Sequence, residues 1–221
     1  RDDLDPALVE RLQERAEREA AAAMRPFGWY EPVIRTEITQ LNAGNWRARI
    51  RVEPGRRVIV EDVDLVIEGA GATDPAFLAI RRDTPLRPGR PLRHADYDGT
   101  KTSLLRTAAN LGYLDAKLTR AELKVDPPSY SAAATLHLET GERYRFGATR
   151  IEQDAINESL ARRYLRYREN EPFDASELLR TQFALDDSQY FSTVEVLPGD
   201  PDRENLVVPV SIRAEPNRRD R

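Results

Sequence analysis

Apolar positions along the chain switch between a helical stripe and strict alternation, and each switch marks an element. From Asp5 the pattern is helical. Asp5 can cap the turn and Pro6 fits the first helical position, where its missing N–H costs nothing. Leu8, Leu12, Ala16 and Ala20 then recur every four residues, with Val9 and Ala23 widening the stripe until Pro26 and Gly28 end it. The period next falls to two. Strands are predicted over Val33–Leu41 and Trp46–Val52, the latter with Trp46, Ala48, Ile50 and Val52 on one face, joined by a hairpin at Asn42–Asn45.

Two longer blocks follow, each reading strand, helix, helix, strand, strand. In the first, Val58–Ile67 is a strand, Asp74-Pro75 starts a short helix ending near Ile80, and three prolines keep Asp83–Arg93 irregular. A helix over His94–Leu111 turns Tyr97, Leu104, Leu105, Ala108 and Leu111 inward, Gly112 stops it, and Ala116–Val125 with Ala132–Thr140 forms a hairpin. In the second, the strand Arg143–Ile151 alternates through Tyr144 and Phe146 and is interrupted at Gly147. A helix over Asn157–Tyr164 and a loop at Tyr167–Asp174 precede a helix through Ser188, started by Asp174 and Glu177 in capping-box spacing and predicted to bury Leu178, Leu179, Phe183 and Leu185. Strands at Thr193–Leu197 and Asn205–Arg213 close the block, and Tyr144, Phe146 and Tyr190 are expected in the core.

The blocks are copies of one unit. VEPGRR at Val52–Arg57, LETGER at Leu138–Arg143 and, more loosely, IRAEPNRR from Ile212 place a Glu at positions 53, 139 and 215, 86 and then 76 residues apart. GWYEPVIRTEI from Gly28, GYLDAKLTRAEL from Gly112 and QYFSTVEVL from Gln189 keep nearly the same beat, at 84 and 77. Two markers with one interval argue for a repeated small domain, since solenoid repeats are roughly 20–50 residues long. Glu139–Glu152 is then a hinge, ending one unit and beginning the next.

Composition narrows the chemistry. There is no Cys among 221 residues, so disulfides and thiolate metal sites are excluded. A formal net charge of -4 gives no long-range attraction for nucleic acid, although Arg56-Arg57, Arg81-Arg82 and Arg162-Arg163 are local basic pairs. No run approaches the roughly 20 apolar residues of a membrane-spanning helix, and the abrupt start without Met reads as a processed or excised fragment. His94 and His137, the only histidines, lack ligand spacing. Adjacent acids such as Glu152 with Asp154 and Asp186 with Asp187 are expected as solvated faces at 33% charged residues. Ser103, Ser129 and Ser192 lie in no nucleophile motif, and GAGA at Gly69–Ala72 lacks the third glycine of a phosphate loop.

The element order, with GYLDAKLTRAEL, TGERYRFG and YFSTVEV, resembles POTRA domains, and more narrowly the three-POTRA periplasmic region of the TamA family, which is related to BamA. The resemblance implies an α+β fold of tandem β-α-α-β-β domains, each a three-stranded mixed sheet with two helices on one face. It divides the chain into a first domain at residues 1–54 whose first strand and first helix are absent, a second at 56–141, a third at 143–215, and a tail at 216–221 leading to an absent β-barrel. It implies a non-enzymatic scaffold on the periplasmic side of the bacterial outer membrane, with no cofactor and no nucleic acid. Partners would be a TamB-like inner-membrane-anchored protein and outer-membrane protein or lipid cargo, bound by strand-edge addition and in inter-domain grooves, with membrane contact only through the barrel. The alternative is a small periplasmic hydrolase or transferase with no recognisable motif. Exposed strand edges offer unpaired N–H and C=O groups, which makes Val33, Arg35 and Glu37 of the first unit and Lys117, Thr119 and Arg120 of the second candidate partner-binding residues. Trp29 and Tyr30, just past a helix end, join them. In the first unit the apolar stripe from Leu8 to Met24 is expected to be incompletely covered, making residues 1–54 the least stable part unless a neighbouring chain completes it.

Overall fold

The computed structural model describes residues 5–42 and 45–217. The elements run α1 (Pro6–Met24), β1 (Val33–Asn42), β2 (Asn45–Glu53), β3 (Ile59–Glu68), α2 (Pro75–Asp83), α3 (His94–Asn110), β4 (Lys117–Asp126), β5 (Ser131–Glu139), β6 (Arg145–Glu152), α4 (Glu158–Ala161), α5 (Ala175–Asp187), β7 (Phe191–Pro198) and β8 (Val207–Pro216). The β-α-α-β-β order thus occurs twice, after an opening α-β-β. Sheet orders are β1-β2, β3-β5-β4 and β6-β8-β7, so the last strand of each full repeat is central. By compactness the chain forms two units: Arg1–Leu65 with Asp83–Thr102 and Arg120–Leu136, and Val66–Arg82 with Ser103–Thr119 and His137–Arg221.

The first unit starts as its sequence requires. The Asp5 carboxylate accepts the Ala7 N–H at 3.3 Å and Pro6 opens α1. No residue of α1 is buried, however, and Leu12 and Ala23 of the expected stripe are exposed. β1 and β2 are antiparallel, with Ile34↔Val52, Thr36↔Ile50, Ile38↔Ala48 and Gln40↔Trp46 on one face. Ile50 and Val52 on that face remain 50% and 41% exposed, because one helix cannot cover both strands. The predicted turn at Ala43 and Gly44 lies outside the described residues. Val58, Val60, Leu86, Leu92, Tyr97, Ala132, Ala134 and Leu136 are the buried apolar residues of this unit among those described, and the Thr84 and Thr100 hydroxyls satisfy each other at 2.6 Å.

The second unit holds a core of Tyr144, Phe146, Tyr167, Phe173, Leu178, Leu185, Phe191, Val194, Val196, Val208, Val210 and Ile212. β6 runs parallel and β7 antiparallel to β8. Gly147 does not end its strand. The register shifts between Phe146 and Thr149, and a Cβ on Gly147 would stand 3.2 Å from backbone atoms of Val208 and Pro209, so the strand bulges there and continues. Asn157 caps α4 through the Ser159 N–H, and Asp174 caps α5 through the Ser176 N–H at 2.8 Å. Glu177 does not complete a capping box; its carboxylate takes Arg180 at 2.7 Å instead.

Four residues expected in the core are exposed instead. Leu179 and Phe183 are 59% and 70% exposed, because α5 buries the stripe Leu178, Thr181 and Leu185, about one residue's rotation away. Leu105 faces solvent for the same reason, beside buried Leu104 and Ala108. Tyr190 is 43% exposed, because it precedes β7 rather than lying in the sheet.

Candidate functional site

The two sequence markers keep one interval because they touch. In the first unit Gly28 adopts φ 89°, its carbonyl accepts the Val58 N–H at 2.9 Å, and the Val58 carbonyl accepts the Leu92 N–H at 2.9 Å. Arg57 Nε donates to the Phe27 carbonyl at 2.7 Å, and its guanidinium stands 5.5 Å from the Trp29 ring centroid. In the second unit Gly112 adopts φ 84°, its carbonyl accepts the Tyr144 N–H at 2.8 Å, and the Tyr144 carbonyl accepts the Phe173 N–H at 2.9 Å. Arg143 Nε donates to the Leu111 carbonyl at 2.7 Å and stands 5.6 Å from the Tyr113 ring centroid. Each joint is therefore a latch: a left-handed glycine that receives the next strand's N–H, an arginine on the preceding carbonyl, and a ring under that arginine. A Cβ would meet the Leu92 carbonyl oxygen at 2.6 Å from Gly28, and Phe173 Cβ at 2.8 Å from Gly112, so glycine is needed for space as well as for φ.

The second latch is the more elaborate. Arg143 also donates to the Phe173 carbonyl at 3.2 Å and approaches the Asp74 carboxylate at 3.6 Å, which accepts the Tyr113 hydroxyl at 3.1 Å. Burial first, and then that hydrogen bond, push the Tyr113 phenol above its ordinary pKa. Tyr144, bonded to Asp115 at 2.8 Å, is raised by burial first and the carboxylate second. Gln189 occupies the corresponding left-handed position before Tyr190, at φ 62°, and its carbonyl takes the Asn217 side chain at 3.2 Å.

Trp29 and Tyr30 are thus parts of a joint. Trp29 lies under Arg57, and the Tyr30 hydroxyl is 2.7 Å from His94 Nε2, with burial raising its pKa. Val33, Arg35 and Glu37 share the exposed face of the β1-β2 sheet, away from α1. The outward backbone of β1 belongs to the alternate residues, and at its middle it is occupied: Gln13 Nε2 donates to the Thr36 carbonyl at 3.2 Å and Glu17 accepts the Thr36 N–H at 2.7 Å. The Thr36 hydroxyl beneath them is buried without a partner. Lys117, Thr119 and Arg120 are exposed on the lateral strand β4. The β1 trio and these three thus lie on different sheets. Sequence reading missed Arg57 and Arg143 as a device, although both stood in its markers; Gln13 and Glu17 left no signal, being polar residues on a polar face.

Among the described residues no group of three or more His, Cys, Asp or Glu side chains could hold a metal ion, and no helix is long and apolar enough to cross a membrane.

Residues 1–54 match the family model described as POTRA domain TamA domain 1. Among solved structures the chain is similar to Haemophilus influenzae BamA POTRA3-5, with 19% identity and a TM-score of 0.52 over 90% of this chain and 79% of that one. It is also similar to BamA from Haemophilus ducreyi lacking POTRA domains 1-3, with 14% identity and a TM-score of 0.52 over 72% of this chain and 29% of that one. Both likenesses are of fold. The chain therefore has the fold of tandem POTRA domains, and its residues 1–54 match the first POTRA domain of the TamA type.

Proposed function

We propose that this chain is a periplasmic, non-enzymatic scaffold of an outer-membrane assembly and translocation factor, and that it binds partner or client chains by strand addition. The observation that carries the reading is the lateral place of β4 and β7 in their sheets, each with one side unpaired by any strand. The domains are taken as 1–54, 56–141 and 143–215, with 216–221 leading toward a barrel. A TamB-like partner and outer-membrane protein or lipid cargo are the partners that the match of residues 1–54 to the TamA type suggests. Lys117, Thr119 and Arg120 mark the docking edge. The β1 edge near Val33, Arg35 and Glu37 is the poorer site, since an incoming strand must displace Gln13 and Glu17 from Thr36.

Proline placed in turn at Thr119 and at Arg120 tests this. Alternate N–H groups of an edge strand point outward, so one substitution removes an outward donor and the other an inter-strand bond. The outward one should abolish photocrosslinking of periplasmic partners from Lys117 while leaving the melting temperature nearly unchanged; the inward one should destabilise. Equal loss of stability from both, or unchanged crosslinking from both, refutes strand addition at β4.

A further inference from the structure

The outer face of the β1-β2 sheet carries a row of arginines that the fold does not require. In register, Arg35 stands opposite Arg51, Glu37 opposite Arg49, and Thr39 opposite Arg47. All four arginines are exposed, and none makes an ion pair among the described residues. Like charges directly opposite each other destabilise a sheet, and nothing at Arg35 and Arg51 relieves them.

The two other sheets supply an internal control. Counting back from the repeated Glu53, Glu139 and Glu215, the positions of Arg51, Arg49 and Arg47 are filled by His137, Thr135 and Ala133 in β5 and by Arg213, Ser211 and Pro209 in β8. The one arginine among those six, Arg213, is neutralised by Glu152 at 3.2 Å. The repeated architecture therefore tolerates small neutral residues here, and the basic row belongs to the first sheet alone among these three.

We infer that this face is a docking surface for an acidic polypeptide segment in extended conformation. Arg47, Arg49 and Arg51 alternate along one strand, so they repeat about every 6.6–6.8 Å. That is the spacing of alternate side chains on any extended chain, and carboxylates at alternate positions would meet the arginines one to one. A shallow depression lined by Glu37, Thr39, Leu41, Arg47 and Arg49 gives the row an apolar end, where Leu41 is 51% exposed. Charge repulsion within the free sheet is relieved when the acidic segment binds, which gives the unpaired row a use. This deepens the scaffold reading and rests on it, but places a second contact on a sheet face, separate from the β4 edge.

The test is fluorescence anisotropy of the whole chain with a short labelled peptide of alternating Glu and Ser. Binding should occur at low salt and weaken as salt rises. Combined Arg47→Ser, Arg49→Thr and Arg51→Thr should weaken it roughly three- to a hundredfold, the range three exposed ion pairs supply. The same variant should melt close to wild type, because losing the Arg51–Arg35 repulsion offsets losing the attraction of Arg49 for Glu37 across the strands. A Lys-Ser peptide should not bind. Unchanged affinity in the triple variant overturns the inference. So does tighter, arginine-dependent binding of phosphatidylglycerol vesicles or of a single-stranded oligonucleotide, which would assign the face to a different macromolecule. Crosslinking from Lys117 separates the two readings: if it persists while the Glu peptide fails to bind, only the present inference falls, and if both fail, the scaffold reading falls with it.

Discussion

Replacing Arg143 with Ala should be among the most damaging single changes outside the apolar core. The guanidinium donates to two carbonyls, Leu111 at 2.7 Å and Phe173 at 3.2 Å, lies 3.6 Å from the Asp74 carboxylate, and covers the Tyr113 ring at 5.6 Å. Hydrogen bonds to a charged group contribute about 1.5–3 kcal/mol each, and an exposed cation–π contact about 0.5–1. The side chain is 30% exposed, so water re-solvates part of what truncation uncovers. Shared partners also make the contributions less than additive. A loss of about 2–4 kcal/mol results, or roughly 4–16 °C in melting temperature for a body of this size. Lysine should restore little, since it keeps the charge but cannot present the planar fork to two carbonyls. Far-UV circular dichroism in urea gives the global effect, and amide exchange gives the local one: the Tyr144 and Phe173 N–H groups, bonded to Gly112 and Tyr144, should exchange much faster. A change below about 0.5 kcal/mol with those amides still protected, or full rescue by lysine, would refute the latch.

The other predictions concern pH, helix face and local stability. Tyr113 and Tyr144 are held above the ordinary phenol pKa of 10.0, so the stability they contribute is complete below pH 10.0 and is lost as pH rises through their folded values; Tyr113→Phe should blunt that alkaline loss in a pH series of melts, and an identical profile would refute the assignment. Leu185→Ala should cost about 2–5 kcal/mol, whereas Phe183→Ser should stay within about 0.5 by urea denaturation, since only Leu185 is buried; equal costs would reverse the helix face. Because no described residue of α1, β1 or β2 is buried as a whole, β2 amides should exchange faster than those of β5 in the dilute protein, and equal protection would contradict the thin first core.

How much of this was legible in the sequence follows from the range of each cause. Caps, prolines and period-two runs act within a few residues, so Asp5, Asp174, the proline loop and the strand cores were readable, as was the repeat, because two markers at one interval need no coordinates. Which of two apolar stripes a helix buries was not readable. Leu178 and Leu179 are equally apolar, and only the position of the sheet beneath α5 chose the first. Gly147 likewise looked like a stop, although a neighbouring strand's backbone, 3.2 Å from a would-be Cβ, made it a bulge. Arg57 and Arg143 show the limit most clearly. Each sits in a conserved-looking spacing within the chain itself, but its bonds reach Phe27 and Leu111, 30 and 32 residues back. Local physical chemistry determined the elements and their repetition. The joints, the clamp on Thr36 and the bare arginine face were decided by tertiary structure, because hydrogen bonds and charge pairing depend on distances in space that no periodicity encodes.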